Sequence, residues 1–208
     1  DNNLSEYDSL LGILDLSRKY PGYDMTGARV IAKDPGNWYN VFTINKGSAD
    51  GLKVGMNVLS DRGLAGIITE VGPTTSVVRS IIDDMSSVSG MISKSYDVCI
   101  VNGDLTLIDS GLMEVELISK ESNVVKGDEI VTSYISDQYL PGLLIGYISE
   151  VEMDELELTY NATLTPVVDF AHLSNVLVIR QLKSDLQEDL SGRDRQTENV
   201  LAGETEPG

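Results

Sequence analysis

A single histidine, a single cysteine and a single tryptophan stand among 208 residues, and long apolar runs are missing altogether. One histidine confines any Ser-His-Asp or Cys-His mechanism to His172. One cysteine, Cys99, excludes an intrachain disulfide, and its setting Val98-Cys99-Ile100-Val101 suits a small buried hydrophobe better than a reactive thiol. Together they cannot build a zinc site without several carboxylates, and no ligand spacing is present. The acidic stretches Asp83-Asp84 and Glu150-Val151-Glu152-Met153-Asp154-Glu155 lack the D-x-[DN]-x-[DN]-G calcium loop and read as solvated segments. No G-x-x-x-x-G-K-[ST] loop is there to cradle phosphates. No run of 18 apolar residues spans a membrane, and no signal peptide is visible. The chain starts mid-pattern at Asp1 without Met, so a segment upstream of it is expected.

Basic residues are also scarce. Fifteen stand against 33 acidic ones, a formal net charge of -18. Such a surface repels phosphate backbones and anionic headgroups, which argues against nucleic acid as a partner. The aromatics, one Trp, two Phe and nine Tyr, are scattered, a weak signature for a carbohydrate or wall-polymer binder.

What is present is mostly β. Leu4, Tyr7, Leu11 and Leu14 fall at a, d, a and d of a heptad with Leu10 beside them, the end of a helix that Pro21-Gly22 stops. From there short β-rich runs alternate with Gly, Asp and Asn turns: 28–32, 41–44, 57–60, 66–71, 76–82, 98–101, 113–117, 129–133, 143–151, 156–167 and 176–179. Turn signals every 8–12 residues predict an all-β sandwich or a pair of barrels. One phrase occurs twice. Lys53-Val54-Gly55-Met56 precedes GLAGIITEV (63–71), and Val125-Lys126-Gly127-Asp128 precedes PGLLIGYISEV (141–151). Gly66 and Gly146, like Glu70 and Glu150, lie 80 positions apart, as two related β units require. The two glycines are assigned to structure, as tight strand entries. After Leu182 the sequence turns polar and charged and is read as a disordered acidic tail, 183–208.

The remaining chemistry is thin. Asp169 precedes His172 by three positions, suiting a cap on a short helical turn, and Asp109-Ser110-Gly111 reads as a turn without the glycines of an oxyanion loop. Asn161-Ala162-Thr163 matches a glycosylation sequon inside a strand pattern.

Residues 28–83 resemble the rod shape-determining MreC family. The resemblance rests on Ala28/Val30/Ile31, Asp34/Pro35/Trp38, Lys46/Gly47, Gly51/Leu52/Gly55/Met56/Val58, Gly63/Leu64/Gly66/Ile67 and Glu70/Val71. It continues in the second half with Lys126 to Ser133 and Leu140 to Gly146, and covers residues 1 to about 180. The sequence departs at Tyr134-Ile135-Ser136-Asp137, where many members carry glycines, and matches less well over 94–123. The resemblance implies two six-stranded β-barrels of chymotrypsin-like plan without its catalytic residues, preceded by an N-terminal helix. The expected division is 1–20 for the end of a coiled-coil helix, 28–75 plus about 160–182 for barrel 1, and 76–159 for barrel 2. It also implies an extracytoplasmic scaffold of bacterial cell elongation, held to the membrane by an upstream helix. No cofactor, metal or catalytic residue is expected. Implied partners are further copies of itself, MreD, the elongation-specific class B penicillin-binding protein and the rod-determining glycosyltransferase. Leu4, Tyr7, Leu11 and Leu14 are the residues expected to pair copies. Competing readings are a β-barrel hydrolase working through His172 and a cell-wall polymer-binding module.

Overall fold

Strand after strand closes on itself here, because a sheet bent into a full circuit leaves no unpaired edge. The computed structural model describes residues 15–16, 18–33, 40–104, 106–107, 110–153 and 158–186. The first barrel comprises β1 (Met25–Lys33), β2 (Val41–Ile44), β3 (Asn57–Ser60), β4 (Gly63–Val71), β5 (Ser76–Ser80) and β12 (Asn175–Ile179). The second comprises β6 (Ser87–Ile92), β7 (Val98–Asn102), β8 (Met113–Ser119), β9 (Glu129–Thr132), β10 (Leu144–Met153) and β11 (Thr159–Pro166). The circuits run β1-β12-β3-β4-β5-β2 and β10-β11-β8-β7-β6-β9, and every pairing is antiparallel.

Period-two sequence becomes period-two burial. In β7, Cys99 and Val101 point inward while Val98, Ile100 and Asn102 are half-buried; in β8, Met113 and Val115 are buried and Glu114 and Glu116 are not. Other strands break the alternation. All of β3 and the first six residues of β4 are buried, as are the first three of β10. β4 and β10 are in contact, so these two strands are covered on the outside by the other barrel. Such two-sided burial needs small residues. A Cβ on Gly63 would press directly on the Leu144 carbonyl oxygen.

The boundary between barrels differs from the one read in the sequence. Residues 76–80 belong to the first barrel and residues 159–166 to the second. β5 follows β4 through a short turn and pairs along it, Ile68 opposite Val78, while β11 returns along nearly the whole of β10. Consecutive strands pair with each other unless something prevents it; here only β12 makes a long return. β6 was not among the sequence runs, because Ser87, Ser89 and Gly90 mute its apolar signal. Gly90 is tightly enclosed where it stands, since a Cβ would meet Val101, Ile130 and Cys99 at 3.0–3.2 Å.

At the N-terminal side, Asp15, Leu16, Arg18 and Lys19 are helical, and Leu16 is buried in the common core. Leu4, Tyr7, Leu11 and Leu14 lie outside the described residues. Within the stretch read as a disordered acidic tail, Lys183–Leu186 form one helical turn and Lys183 is 8% exposed, while residues 187–208 lie outside the described residues. Lys183 Nζ donates to the Tyr134 carbonyl at 2.8 Å, which holds this polar stretch to the second barrel.

Candidate functional site

The repeated phrase builds the same device in each barrel. Gly55, at φ +90°, donates to the Ile68 carbonyl at 2.9 Å, and Ile68 N–H donates to the Met56 carbonyl at 2.9 Å. Gly127, at φ +91°, donates to the Ile148 carbonyl at 2.8 Å, and Ile148 N–H donates to the Asp128 carbonyl at 2.9 Å. A left-handed turn of this kind favours glycine. In both barrels the ladder then slips, between Ile68 and Glu70 and between Ile148 and Glu150, so each long strand bends at an equivalent bulge. Gly66 and Gly146 sit two residues before those isoleucines. A Cβ on either would strike a backbone carbonyl of the neighbouring strand, Arg79 in one case and Thr165 in the other.

These bent strands bring the barrels together, and the loop Ser133–Leu143 locks them. Asn57, 1% exposed in β3, is the central polar contact. Its Oδ1 accepts from Leu140 N–H at 2.8 Å and its Nδ2 donates to the Gln138 carbonyl at 3.1 Å. One side-chain amide thus supplies the pair of bonds that a β-strand would supply. At the end of β9, Thr132 Oγ1 donates to the Leu140 carbonyl at 2.6 Å and accepts from Leu143 N–H at 2.8 Å. Tyr139, Leu140 and Leu143 are buried beneath it.

The segment leaving the N-terminal helix completes the lock. Leu144 N–H donates to Tyr20 Oη at 3.0 Å, and Tyr23 Oη donates to the Pro141 carbonyl at 3.2 Å. Burial, with the neighbouring Tyr20 adding to it, raises the Tyr23 phenol above its ordinary range. Whatever pulls on the helix therefore pulls on both barrels at their junction. Asn57, Tyr20 and Tyr23 were not singled out in the sequence. Their partners lie 81 to 124 positions away, and no local pattern marks such contacts.

His172 stands apart from this junction. Its Nδ1 lies 2.7 Å from Asp169 Oδ2, while Asp169 Oδ1 accepts from Ala171 N–H at 3.1 Å and caps the turn Phe170–His172. The His172 side chain is 83% exposed, and no serine, threonine or cysteine side chain is hydrogen-bonded to it among the described residues. Ser110 and Gly111 form a turn, with Gly111 at φ +66°; Asp109 lies outside the described residues. Cys99 is buried, and burial pushes its thiol up to about 12. Among the described residues no group of three or more His, Cys, Asp or Glu is placed to hold a metal ion, and no helix is long and apolar enough to cross a membrane.

The outer face of the second barrel has a different character. Glu150, Thr163 and Glu114 are cross-strand neighbours, and Glu152 faces Asn161 one rung away. Burial, and then the charges of Glu116 and Asp104, raise the Glu114 carboxyl above its usual range. Beside this acidic face Leu117 occupies a bulge at φ +59°, its side chain largely exposed. A bulky residue in the left-handed region is strained, and such strain collects at functional surfaces. Met153 and Leu158, also exposed, flank the same end of β10 and β11.

The barrel-core model of the rod shape-determining protein MreC matches residues 30–180. The cell shape-determining protein MreC of Listeria monocytogenes is 32% identical over 171 residues, covering 81% of this chain and 57% of the relative. A solved structure of MreC from Listeria monocytogenes is similar at 30% identity and a TM-score of 0.70, over 86% of this chain and 90% of that one. The fold also resembles that in the complex between the penicillin-binding protein PBP2 and MreC from Helicobacter pylori, at 16% identity and a TM-score of 0.59, over 76% of this chain and 99% of that one. The chain spans a little over half the length of the curated relatives it matches.

Proposed function

The chain belongs to the MreC family of rod shape-determining proteins, and we propose that it works as a non-enzymatic, extracytoplasmic scaffold of cell elongation, organising wall synthases by binding alone. The observation that carries this reading is the family match across both barrels together with a family member seen in complex with a penicillin-binding protein. By this reading the class B penicillin-binding protein of elongation docks on the barrels, with MreD and the rod-determining glycosyltransferase as further partners. By the same reading a transmembrane helix anchors it to the membrane. The exposed His172–Asp169 pair, engaged in capping a one-turn helix, supports binding rather than hydrolysis.

Self-association runs through Leu4, Tyr7, Leu11 and Leu14. Leu16 falls at position f of that heptad, on the opposite face, and it is the residue buried against the barrels. A helix that docks through f leaves a and d for a partner. Full burial of four such side chains would contribute at most about 6–12 kcal/mol per chain, about 1.5–3 for each, and partial burial proportionately less.

The test is the solution mass of residues 1–208 beside a version that begins at Tyr20, across a wide concentration range. A dimer of the first and a monomer of the second support the reading, and Leu11→Asp should then behave as the shorter version does. A dimer that survives both changes removes the helix from the account.

A further inference from the structure

Between the barrels, on the side where the chain leaves β12, lies a groove of about 500 Å³. Val54, Ile67, Ile68 and Leu182 make its apolar walls, and Arg79 from β5 and Lys183 reach it as cations, with Asp137 the one acid in its lining. Lys183 is engaged by the Tyr134 carbonyl, whereas Arg79 forms no ion pair among the described residues. A groove with excess positive charge is out of character in a chain of net charge -18. It calls for an acidic occupant with an apolar anchor.

The chain supplies one. Leu182 N–H donates to Asp185 Oδ2 at 3.1 Å, capping the turn Lys183–Leu186, and Leu182, Lys183 and Ser184 themselves line the groove. The sequence then continues Gln187-Glu188-Asp189-Leu190, the start of a stretch (187–208) with six acidic and two basic residues. Four residues extended from Leu186 reach about 14 Å, enough to cross a groove that Leu182, Lys183 and Ser184 already line. We propose that this groove is the docking site of the chain's own segment Gln187–Leu190, with Glu188 and Asp189 set against Arg79 and Leu190 against the Val54 wall.

The tether makes the contact intramolecular. Short flexible links give local concentrations in the millimolar range, so even a weak apolar and ionic contact is populated. Arg79 belongs to the first barrel, while Asp137 and the Tyr134 carbonyl belong to the second. A segment lying across them clamps the barrels against each other, and a partner with a similar acidic-apolar segment must displace it.

Disulfide trapping in the full chain tests this, because native Cys99 is buried and does not compete. Leu190→Cys is combined with Val54→Cys in the groove or, as a control, with Ile31→Cys, an exposed position of the first barrel. Both pairs are oxidised with copper phenanthroline. The proposal expects the Val54 pair to close at least tenfold faster than the control pair. Glu188→Lys with Asp189→Lys should cancel that advantage, and adding Arg79→Glu should restore it. The tail substitutions leave the barrels untouched, so misfolding cannot imitate the result. Equal rates for the two pairs overturn the docking, and a rate indifferent to the tail charges overturns the role of Arg79.

Discussion

The two barrels are one circuit built twice, and they differ in where the sixth strand comes from. Laid over each other, β1, β2, β3, β4 and β5 correspond to β7, β8, β9, β10 and β11, each with the same neighbours. The sixth place is taken by β6 in the second barrel, just ahead of β7 in the chain. In the first barrel it is taken by β12, 95 positions after β5 ends at Ser80, with the whole second barrel lying in between. The second barrel is therefore local and continuous over 87–166, whereas the first closes only after the second has been made. Non-local closure costs loop entropy before it is rewarded. The first barrel should be the later to fold and the easier to open.

The largest effect comes from removing that closing strand. A chain ending at Ser174 should lose cooperative structure in the first barrel, while amides of β10 and β11 keep their protection in hydrogen exchange. Uniform protection, or uniform loss, would show that the barrels are one folding unit. Next come the matched glycines. Gly66→Val and Gly146→Val each force a Cβ onto a backbone carbonyl, and each should cost about 3 kcal/mol or more by denaturant unfolding, a value at the high end for overpacking because backbone cannot yield as side chains do. Gly27→Ala, with nothing within 4 Å, is the control and should lie within about 0.5 kcal/mol of the parent. Equal effects at all three positions would remove the equivalence argued for the two phrases.

The junction is a smaller matter of polar satisfaction. Asn57→Leu leaves Leu140 N–H and the Gln138 carbonyl without their partner, at about 1–3 kcal/mol for each buried group. Asn57→Asp keeps the acceptor but buries a charge. Burial raises the folded-state pKa of that carboxyl above its unfolded value, so this variant should gain stability as the pH falls through the interval between the two. Tyr20→Phe removes the acceptor of Leu144 N–H and should cost about 1 kcal/mol. The smallest effect concerns Cys99. With its thiol pushed up to about 12, it should resist maleimides at pH 8 until the second barrel unfolds.

Much of this was legible in the sequence. Strands such as β7 and β8 declared themselves by alternation, and the glycine phrase disclosed the twofold plan through Gly55, Gly66, Gly127 and Gly146. The cap of Asp169 on the turn before His172 was equally local. β6 was missed because Ser87 and Ser89 lie on its less buried face, and Gly90, packed against Cys99 and Ile130, brings no apolar side chain to the other. The division at β5 and β11 was misplaced because pairing, not composition, decides membership of a circuit. Asn57 could not be found at all. An asparagine at a strand start looks ordinary until a loop 83 residues away presents its backbone to it.

The scaffold reading stands most directly on one interaction. Surface-immobilised chain, with residues 1–208 intact, should bind the extracytoplasmic part of the elongation-specific class B penicillin-binding protein of its own organism. The account predicts saturable binding that survives when His172 is replaced by Ala. Absence of binding at high micromolar concentration, for chain that is folded by circular dichroism, would contradict it.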